Sequence, residues 1–349
     1  MIFASDNWAG VSDRVRDVLA AASSGIVPAY GGDDQTKAVE RQFAEIFERE
    51  VAVFFVATGT AANALSLAAY SRPGGVVLCH AGAHIVDDEA GAPESLAGCR
   101  VRGLPGANGK LAPETVSEAL RVFSPAAVYH GLAMAVSISL LTELGTAYSA
   151  REIGAIAEVA HGAGLPLHLD GARFASAVAG LGVSPADLTW RVGVDVMSFG
   201  GTKGGCWAAE AVIFFDKDAA ASFPYLRKRA GQLFSKSRFV AAQFSAYLAD
   251  GHWLDLARTA NQRARDLAAG ITASGQGRVP VPVDGCEVFA IIPRERARVL
   301  RAAGAVFHDW NPATVGASVT ISADEVMVRL VTNFGTAAGD VARFVELLR

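Results

Sequence analysis

Basic charge, paired cysteines and long apolar runs are all scarce in this sequence of 349 residues. The 31 lysines and arginines are outnumbered by 35 aspartates and glutamates, so the chain lacks the basic excess that gathers nucleic acid. The cysteines at 79, 99, 206 and 286 form no closely spaced pair, which argues against a disulfide framework or a structural zinc site. The most apolar stretch, 126–141, is shorter than the roughly 20 residues of a membrane-spanning helix. Nucleic acid, a bound metal and a membrane are therefore not expected as partners.

The composition is that of a folded enzyme rather than a disordered chain. Hydrophobic residues make up 51% of the sequence and charged residues 19%, a balance that can bury a large core. The first ten residues carry an acid and lack a basic segment followed by an apolar one, so they do not resemble a signal peptide. We therefore expect a cytoplasmic protein with length for about two domains.

Short apolar runs alternate with longer alanine-rich segments of helical period, the pattern of crossover units in a mainly parallel sheet. The sequence thus predicts an α/β fold. The runs that would form one seven-stranded sheet are 51–56, 75–79, 101–104, 133–140, 166–169, 194–199 and 210–215. Helices are predicted between them near 61–70, 113–122, 150–163 and 172–180.

The pattern changes after residue 215. Two long helices are predicted, over 217–232 and 237–270, followed by a shorter alternation of strands and helices. We therefore predict a large domain over 1–245 and a small C-terminal α/β domain over 246–349.

A turn, Thr58-Gly59-Thr60, opens a helix directly after an apolar strand. Free backbone N–H groups, two hydroxyls and the positive end of the helix would suit an anion such as phosphate. An ordinary helix cap is the commoner explanation of the same residues. The turn matches neither a P-loop nor a dinucleotide-binding fingerprint.

Two further strand ends carry chemically useful residues. One apolar strand ends in Asp170 and is followed by Arg173, at the sheet edge where α/β proteins bind ligands. About 30 residues later the next strand ends in glycines that surround Lys203 and leave room for a ligand. An amine that can form an imine, an acid for a ring nitrogen and an upstream phosphate turn are together the set that holds pyridoxal 5′-phosphate (PLP).

On these motifs the chain resembles the threonine aldolase branch of the fold type I PLP enzymes, a group of beta-eliminating lyases, over nearly its whole length. The resemblance implies a large domain built on a seven-stranded, mainly parallel sheet, and a smaller C-terminal domain. The matching segments are Ser5-Asp6-Asn7, Ala29 to Asp33, Ala57 to Asn63, Ala83 to Gly91, His168 to Arg173, the Lys203 loop and Val328 to Thr332.

The resemblance assigns cofactor roles to individual residues. Lys203 would bind the PLP aldehyde, Asp170 would pair with the protonated ring nitrogen, and His84 would stack on the ring. Gly59 and Thr60 would hold the phosphate. Taken alone, a histidine such as His84 is more often a loop or interface residue, so its assignment depends on the family match.

Three residues are implied as holders of the substrate carboxylate: Ser5, Arg173 and Arg329. Arginine forks bind carboxylates through two parallel hydrogen bonds. A surface salt bridge is the alternative for each arginine. Against it, Arg329 lies inside an apolar run, where a guanidinium needs an anionic partner.

The implied reaction is the cleavage of a β-hydroxy-α-amino acid, such as threonine, allo-threonine or phenylserine, to glycine and an aldehyde. It needs a base near the hydroxyl group. In better-known members a histidine follows the strand near residue 140, whereas here Glu143 occupies that place. The catalytic base is therefore open between Glu143, His84 and a bound water.

A basic segment around 227–238 is either an exposed helix face or, as the resemblance implies, part of a subunit interface that reaches the neighbour's phosphate. Lys228 and Lys236 are the candidates for that contact. A shared site predicts a homodimer or homotetramer.

His80 and His84 with nearby acids could form a set of metal ligands, but Gly82 argues against a firm helix there and no metal is expected.

Two other functions remain open at this stage. A PLP enzyme that eliminates or deaminates at Cβ would share the cofactor and the carboxylate-binding residues. A PLP-binding protein without turnover would keep the fold, but it would be expected to have lost at least one of Asp170, Arg173, Lys203 and Arg329.

Overall fold

A seven-stranded sheet forms the centre of the large part of the molecule. The computed structural model describes residues 1–315 and 319–349. The strands are β1 (Ala52–Val56), β2 (Gly75–His80), β3 (Arg100–Leu104), β4 (Leu132–Ser139), β5 (Leu167–Gly171), β6 (Val196–Gly200) and β7 (Glu210–Phe214). They lie in the order β1-β7-β6-β5-β4-β2-β3. Strand β7 is antiparallel to both neighbours and the remaining pairs are parallel, so the predicted α/β sheet is confirmed.

Helices pack around this sheet. Those that begin before residue 240 are α1 (Asp13–Ala22), α2 (Asp34–Ile46), α3 (Gly59–Ala68), α4 (His84–Asp87), α5 (Ala92–Ala97), α6 (Pro113–Val122), α7 (Ala150–Gly162), α8 (Phe174–Leu181), α9 (Phe223–Arg229) and α10 (Arg238–Leu248). Asp33 caps α2 through its side chain, and Ser149 forms a reciprocal capping box with Glu152 at α7. Over the described residues, no helix is long and apolar enough to cross a membrane.

A smaller sheet and three helices complete the fold: α11 (His252–Ala273), β8 (Glu287–Pro293), α12 (Arg294–Ala302), β9 (His308–Asp309), β10 (Glu325–Val331) and α13 (Ala338–Leu348). The strand order is β8-β10-β9, with both pairs antiparallel. The N-terminus runs beside this sheet, where Phe3 exchanges backbone hydrogen bonds with Val306 and Val331 and packs into the small core. The proposed domain boundary at 245/246 stays a prediction.

The two long helices predicted after residue 215 are shorter than expected. The first is reduced to α9, which ends before Gly231 at a φ of +73°. The second is divided into α10 and α11 by Asp250 and Gly251, whose φ angles are +55° and +72°. Left-handed backbone ends a helix, and glycine adopts it at little cost, so the chain turns there instead of continuing straight.

Aromatic side chains lock β6 into the core. Phe199 of β6 lies edge-on to Phe43 at 5.1 Å and packs near Phe244 at 6.0 Å and Trp253 at 5.7 Å between ring centroids. All four are at most 3% exposed. Such edge-to-face contacts stabilise the fold beyond the burial of the large apolar surfaces themselves. The strand that leads to Lys203 is therefore held rigidly.

Candidate active site

A cavity of about 290 Å³ opens at the carboxyl ends of β4, β5 and β6. This is the edge of a parallel sheet at which α/β proteins bind ligands. Residues from the first helix turn of α3, the start of α4 and the loops after β4, β5 and β6 share its wall. The predicted residues that meet there are Gly59, Thr60, His84, Glu143, Asp170, Arg173 and Lys203.

The Lys203 loop is shaped by close packing around its glycines. A Cβ atom on Gly200 would lie 2.5 Å from the backbone oxygen of Ala172, and one on Gly204 would overlap the Tyr247 hydroxyl at 1.9 Å. Real Cβ atoms do not approach so closely, so these positions require glycine. Residues 202–204 form a short 3₁₀ turn that directs Lys203 to the cavity wall.

Asp170 is buried at the end of β5 and held by neutral donors. Its Oδ1 accepts from the Ala172 backbone N–H at 2.9 Å, and its Oδ2 accepts from Nδ2 of Asn63 at 2.8 Å. The Asn63 Oδ1 accepts from the Ser198 hydroxyl, which also contacts the buried His168. Burial lowers the pKa of His168 to about 4, so this ring is neutral near pH 7. Among the described residues, the groups that donate hydrogen bonds to Asp170 are therefore all uncharged.

His84 begins α4 and is oriented by an acid. Its Nδ1 lies 2.9 Å from Oε1 of Glu89, and the same oxygen accepts from Nδ2 of Asn63 at 2.8 Å. Glu89 is 4% exposed. The hydrogen bond that the ring donates to Glu89 is the main cause of a raised His84 pKa. This contact also fixes the plane of the imidazole against the cavity.

Glu143 presents a carboxylate oxygen that lacks a partner. Its Oε1 accepts from the His84 backbone N–H and from the Ser139 hydroxyl, both at 2.8 Å. Its Oε2 is buried and forms no hydrogen bond to any described residue. Burial raises the pKa of Glu143 to about 7, and the nearby Asp170 adds to the rise. A carboxyl group of this kind can take or give a proton near neutral pH.

The two arginines are paired with protein carboxylates. Arg173 donates to Asp6 at 2.7 and 3.0 Å, and Arg329 donates to Oε1 of Glu287 at 3.0 and 2.7 Å. The other Glu287 oxygen lies 3.5 Å from Arg173. The anionic partner expected for Arg329 is therefore Glu287. Arg173 lines the cavity, whereas Arg329 lies behind Glu287 and outside the cavity wall.

The start of α3 combines a helix cap with a free anion site. The Thr58 side chain accepts from the Ala61 N–H at 3.1 Å, as in an ordinary cap. The first amides of α3, at Gly59 and Thr60, have no helical acceptor and lie at the cavity. A phosphate could be held there by these amides and the Thr60 hydroxyl. The two interpretations of this turn are thus compatible.

The remaining candidates lie away from the cavity wall. Ser5 accepts from the Asn7 backbone N–H at 3.1 Å, and Asn7 rather than Ser5 lines the cavity. Lys228 lies over the Tyr30 ring at 5.4 Å, and Lys236 is exposed. Their roles, like that of Arg329, stay predictions.

The residues of the cavity fit PLP. A lysine, a buried acid, a histidine and a helix N-terminus surround one space, and Asp170 has room on its cavity side for a cationic ring nitrogen. Among the residues that the structure describes, no group of three histidine, cysteine, aspartate or glutamate side chains could hold a metal ion. His80 instead contacts the Gly106 carbonyl through Nε2 at 3.1 Å.

Comparison with known proteins relates the chain to one group of enzymes. A family model described as beta-eliminating lyase matches residues 3–291. The low specificity L-threonine aldolase of Pseudomonas aeruginosa is 39% identical over 309 residues, covering 88% of this chain and 89% of the relative. The solved threonine aldolase of Leishmania major superposes with a TM-score of 0.92 at 28% identity, covering 99% of this chain and 98% of that one. An Oryza sativa structure, TDC with PLP and tryptamine, has a TM-score of 0.72 at 16% identity and covers 99% and 82%.

The chain belongs to the beta-eliminating lyase family. The likeness to the Leishmania enzyme extends over nearly the whole chain, which confirms the predicted resemblance to threonine aldolases and the fold of type I. The TDC structure, at its low identity, shows the shared fold alone.

Several residues of the cavity wall are not among the site residues predicted from the sequence, including Asn7, Asn63, Glu89 and Glu210. Asn63 and Glu89 lie in segments that carried the family resemblance, so position in a motif was a usable signal for them. Asn7 adjoins the predicted Ser5. Glu210 had no signal, because it begins an ordinary apolar strand.

The raised pKa of Glu143 predicts a specific pH dependence of stability. Between its ordinary value of 4.5 and about 7, the folded chain keeps a proton that the unfolded chain has released, so this residue makes stability fall as pH rises. Above pH 7, Glu143→Gln should raise the free energy of unfolding by up to about 3 kcal/mol, and near pH 4.5 it should change little. Urea denaturation across this range measures the difference.

The matched control is Glu346→Gln, which alters an exposed glutamate paired with Arg343 on α13. Its stability profile should run parallel to that of the wild type. Parallel profiles for Glu143→Gln as well would contradict the assignment of a buried, easily protonated Glu143.

Proposed function

We propose that this chain is a PLP-dependent aldolase that cleaves L-threonine and related β-hydroxy-α-amino acids to glycine and an aldehyde. The observation that carries the proposal is one cavity that holds Lys203 and the buried Asp170 beside the unpartnered carboxylate oxygen of Glu143. Membership of the beta-eliminating lyase family supports the cofactor, and the named aldolase relatives support the reaction.

PLP, when bound, supplies an electron sink that stabilises negative charge at the substrate Cα. The chain's own residues place it. Lys203 would bind the aldehyde carbon through Nζ, Asp170 would accept from the ring nitrogen, and the amides at Gly59 and Thr60 would donate to the phosphate. His84, whose orientation Glu89 fixes, would stack on the ring.

Arg173 is proposed to receive the substrate carboxylate, since it lines the cavity and is held in place by Asp6. Glu143 is proposed to take the proton from the β-hydroxyl group through Oε2. Ser139 and the His84 backbone occupy its other oxygen, so the carboxylate is oriented with the free oxygen available. Loss of the hydroxyl proton allows the Cα–Cβ bond to break with release of the aldehyde.

A β-eliminating or deaminating lyase is the alternative on the same scaffold, because it would use the same lysine, acid and arginine. Glu143 could serve either reaction, since a carboxyl group with a pKa of about 7 can take the hydroxyl proton or give a proton to a leaving hydroxyl group. The named aldolase relatives favour the aldolase. The products distinguish the two reactions.

Lys203→Ala should abolish cleavage and remove the visible absorption band that the purified protein shows with PLP, because the covalent anchor is lost. Glycine and aldehyde release from L-threonine and L-phenylserine are to be measured beside ammonia and keto acid. Ammonia and keto acid as the main wild-type products would support the eliminating lyase. A wild type without the absorption band would contradict both, as well as a PLP-binding protein without turnover.

Glu143→Gln should lower kcat by about 10²- to 10⁴-fold, the usual contribution of a general base. In the wild type, kcat/KM should rise with pH through about 7 as this carboxyl group loses its proton, and that limb should be absent in the variant. Ser139→Ala is the matched control, because it removes one contact of Glu143 but leaves the carboxylate. A pH limb that survives in Glu143→Gln would assign the base to another group such as His84.

We also propose a homodimer or homotetramer with active sites at the subunit interface. Several large side chains are exposed: Trp8, Tyr30, Trp207 and, on α9, Tyr225 are 59%, 53%, 69% and 79% exposed. The cavity wall carries more acids than bases, so Lys228 or Lys236 from a neighbouring subunit would supply the positive charge that a phosphate needs.

Sedimentation velocity should therefore show a species of two or four times 36.3 kDa. Tyr30→Glu should shift it towards the monomer and weaken PLP binding, because a buried charge opposes association. Val128→Glu, at a residue 81% exposed outside this patch, is the control. A monomer that retains PLP fully would contradict the shared site.

We propose the cytoplasm as the compartment, where the four free cysteines would stay reduced.

A further inference from the structure

Glu210 is a buried acid in the cavity that the proposed reaction does not use. It is the first residue of β7 and lies opposite Gly200 of β6 and Val56 of β1. The residue is 5% exposed, and it lines the same cavity as Lys203 and Asp170. Its place beside the lysine loop requires a physical explanation.

Folding alone does not account for this carboxyl group. Its hydrogen bonds come from one residue, Thr202, whose backbone N–H donates over a long 3.4 Å and whose side chain also contributes. No described lysine, arginine or histidine lies within 4.0 Å of it in an ion pair. Burying a carboxylate with so little compensation is costly, and a neutral side chain would serve the strand better.

The loop between β6 and β7 places Glu210 next to Lys203. The Gly201 N–H donates to the Ala209 carbonyl at 2.9 Å, and the Ala209 N–H donates to the Thr202 hydroxyl at 3.2 Å. These contacts bring together the residue before Lys203 and the residue before Glu210. The distance between the lysine loop and the start of β7 is thereby fixed.

Charges of both signs face the two residues. Asp6, Asp170 and Glu210 surround Lys203 from three different elements, and His84 and Arg173 add positive charge at the cavity wall. Burial raises the pKa of Glu210 to about 7 and Asp170 adds to the rise, while hydrogen bonds from Thr202 and the charge of Lys203 oppose it. The charge of Lys203 thus acts on Glu210 and favours its ionised form.

We propose that Glu210 is a positioning residue that stabilises positive charge on Lys203 Nζ by its own opposite charge and directs this nitrogen into the cavity. The inference rests on the proposed function, in which Lys203 anchors PLP. A positively charged nitrogen would be the better leaving group when the amino group of the substrate takes its place, so Glu210 would favour that exchange.

The test is a pH titration of the visible absorption of the PLP-loaded protein, read as the pH at the midpoint of the absorbance change. Removing a carboxylate that favours the protonated nitrogen should lower this midpoint by about one pH unit in Glu210→Gln. Glu210→Asp, which keeps the charge, should lie between Glu210→Gln and the wild type. kcat should fall in Glu210→Gln more than KM changes, since the residue acts on the lysine and not on the substrate.

Glu94→Gln is the matched control. Glu94 lies on α5, is half-buried and has one buried carboxylate oxygen without a partner, but it lies outside the cavity. Its midpoint should equal that of the wild type. If Glu210→Gln fails to fold, Glu210→Asp carries the test through its own smaller decrease.

The outcomes separate this inference from the proposed function. A wild type that shows no visible band with PLP would overturn the proposed function and this inference with it. A normal band whose midpoint is unchanged or higher in Glu210→Gln and Glu210→Asp would overturn the role of Glu210 alone. A lower midpoint in Glu94→Gln as well would assign the effect to general stability and also overturn it.

Discussion

One side-chain amide, that of Asn63, holds the cavity together. Its Nδ2 donates to Asp170 and to Glu89, both at 2.8 Å, and its Oδ1 accepts from Ser198. A single group thus joins α3, which carries the phosphate-binding turn, to the ends of β5 and β6 and to the acid that orients His84. Every one of these contacts is buried, where hydrogen bonds are strong and a missing partner is costly. The helix, the two strands and the histidine therefore keep one relative arrangement.

The second constraint is an excess of acid around Lys203. Glu89, Glu143, Asp170 and Glu210 line the cavity, whereas the fixed cations of its wall are Lys203 and Arg173. Burial makes it costly for all four acids to ionise together, and it raises the pKa of Glu143 and of Glu210 to about 7. The site can therefore bind and release protons near neutral pH without moving its backbone. Because the wall itself is acidic, the negative charge of a bound cofactor would have to be balanced by helix amides and by cations from outside this wall.

The sequence predicted the residues at the ends of parallel strands and missed Glu210, whose place in the site depends on strand direction. Asp170 and Lys203 follow apolar runs, and parallel strands bring such ends together. Glu210 stands at the start of β7, and that start reaches the same edge only because β7 is antiparallel to β6. Hydrophobic pattern does not encode strand direction. Similarly, the apolar run around Arg329 predicts an anionic partner but cannot distinguish a substrate from Glu287. The break at Asp250 and Gly251 was missed because both flanking segments share one helical period.

Under the proposed function, the two arginines would connect substrate recognition to both sheets. Asp6, Arg173, Glu287 and Arg329 form an alternating chain of charges from the N-terminal segment, the large sheet and the small sheet. Because each arginine already has an acid, the pair offers little net positive charge to a substrate carboxylate. Binding must then depend on the N–H donors that the acids leave free and on their fixed direction. Since the acids order Arg173 beforehand, its side chain would lose little conformational entropy when a carboxylate binds. Orientation of the substrate, more than its charge, is what this arrangement can select.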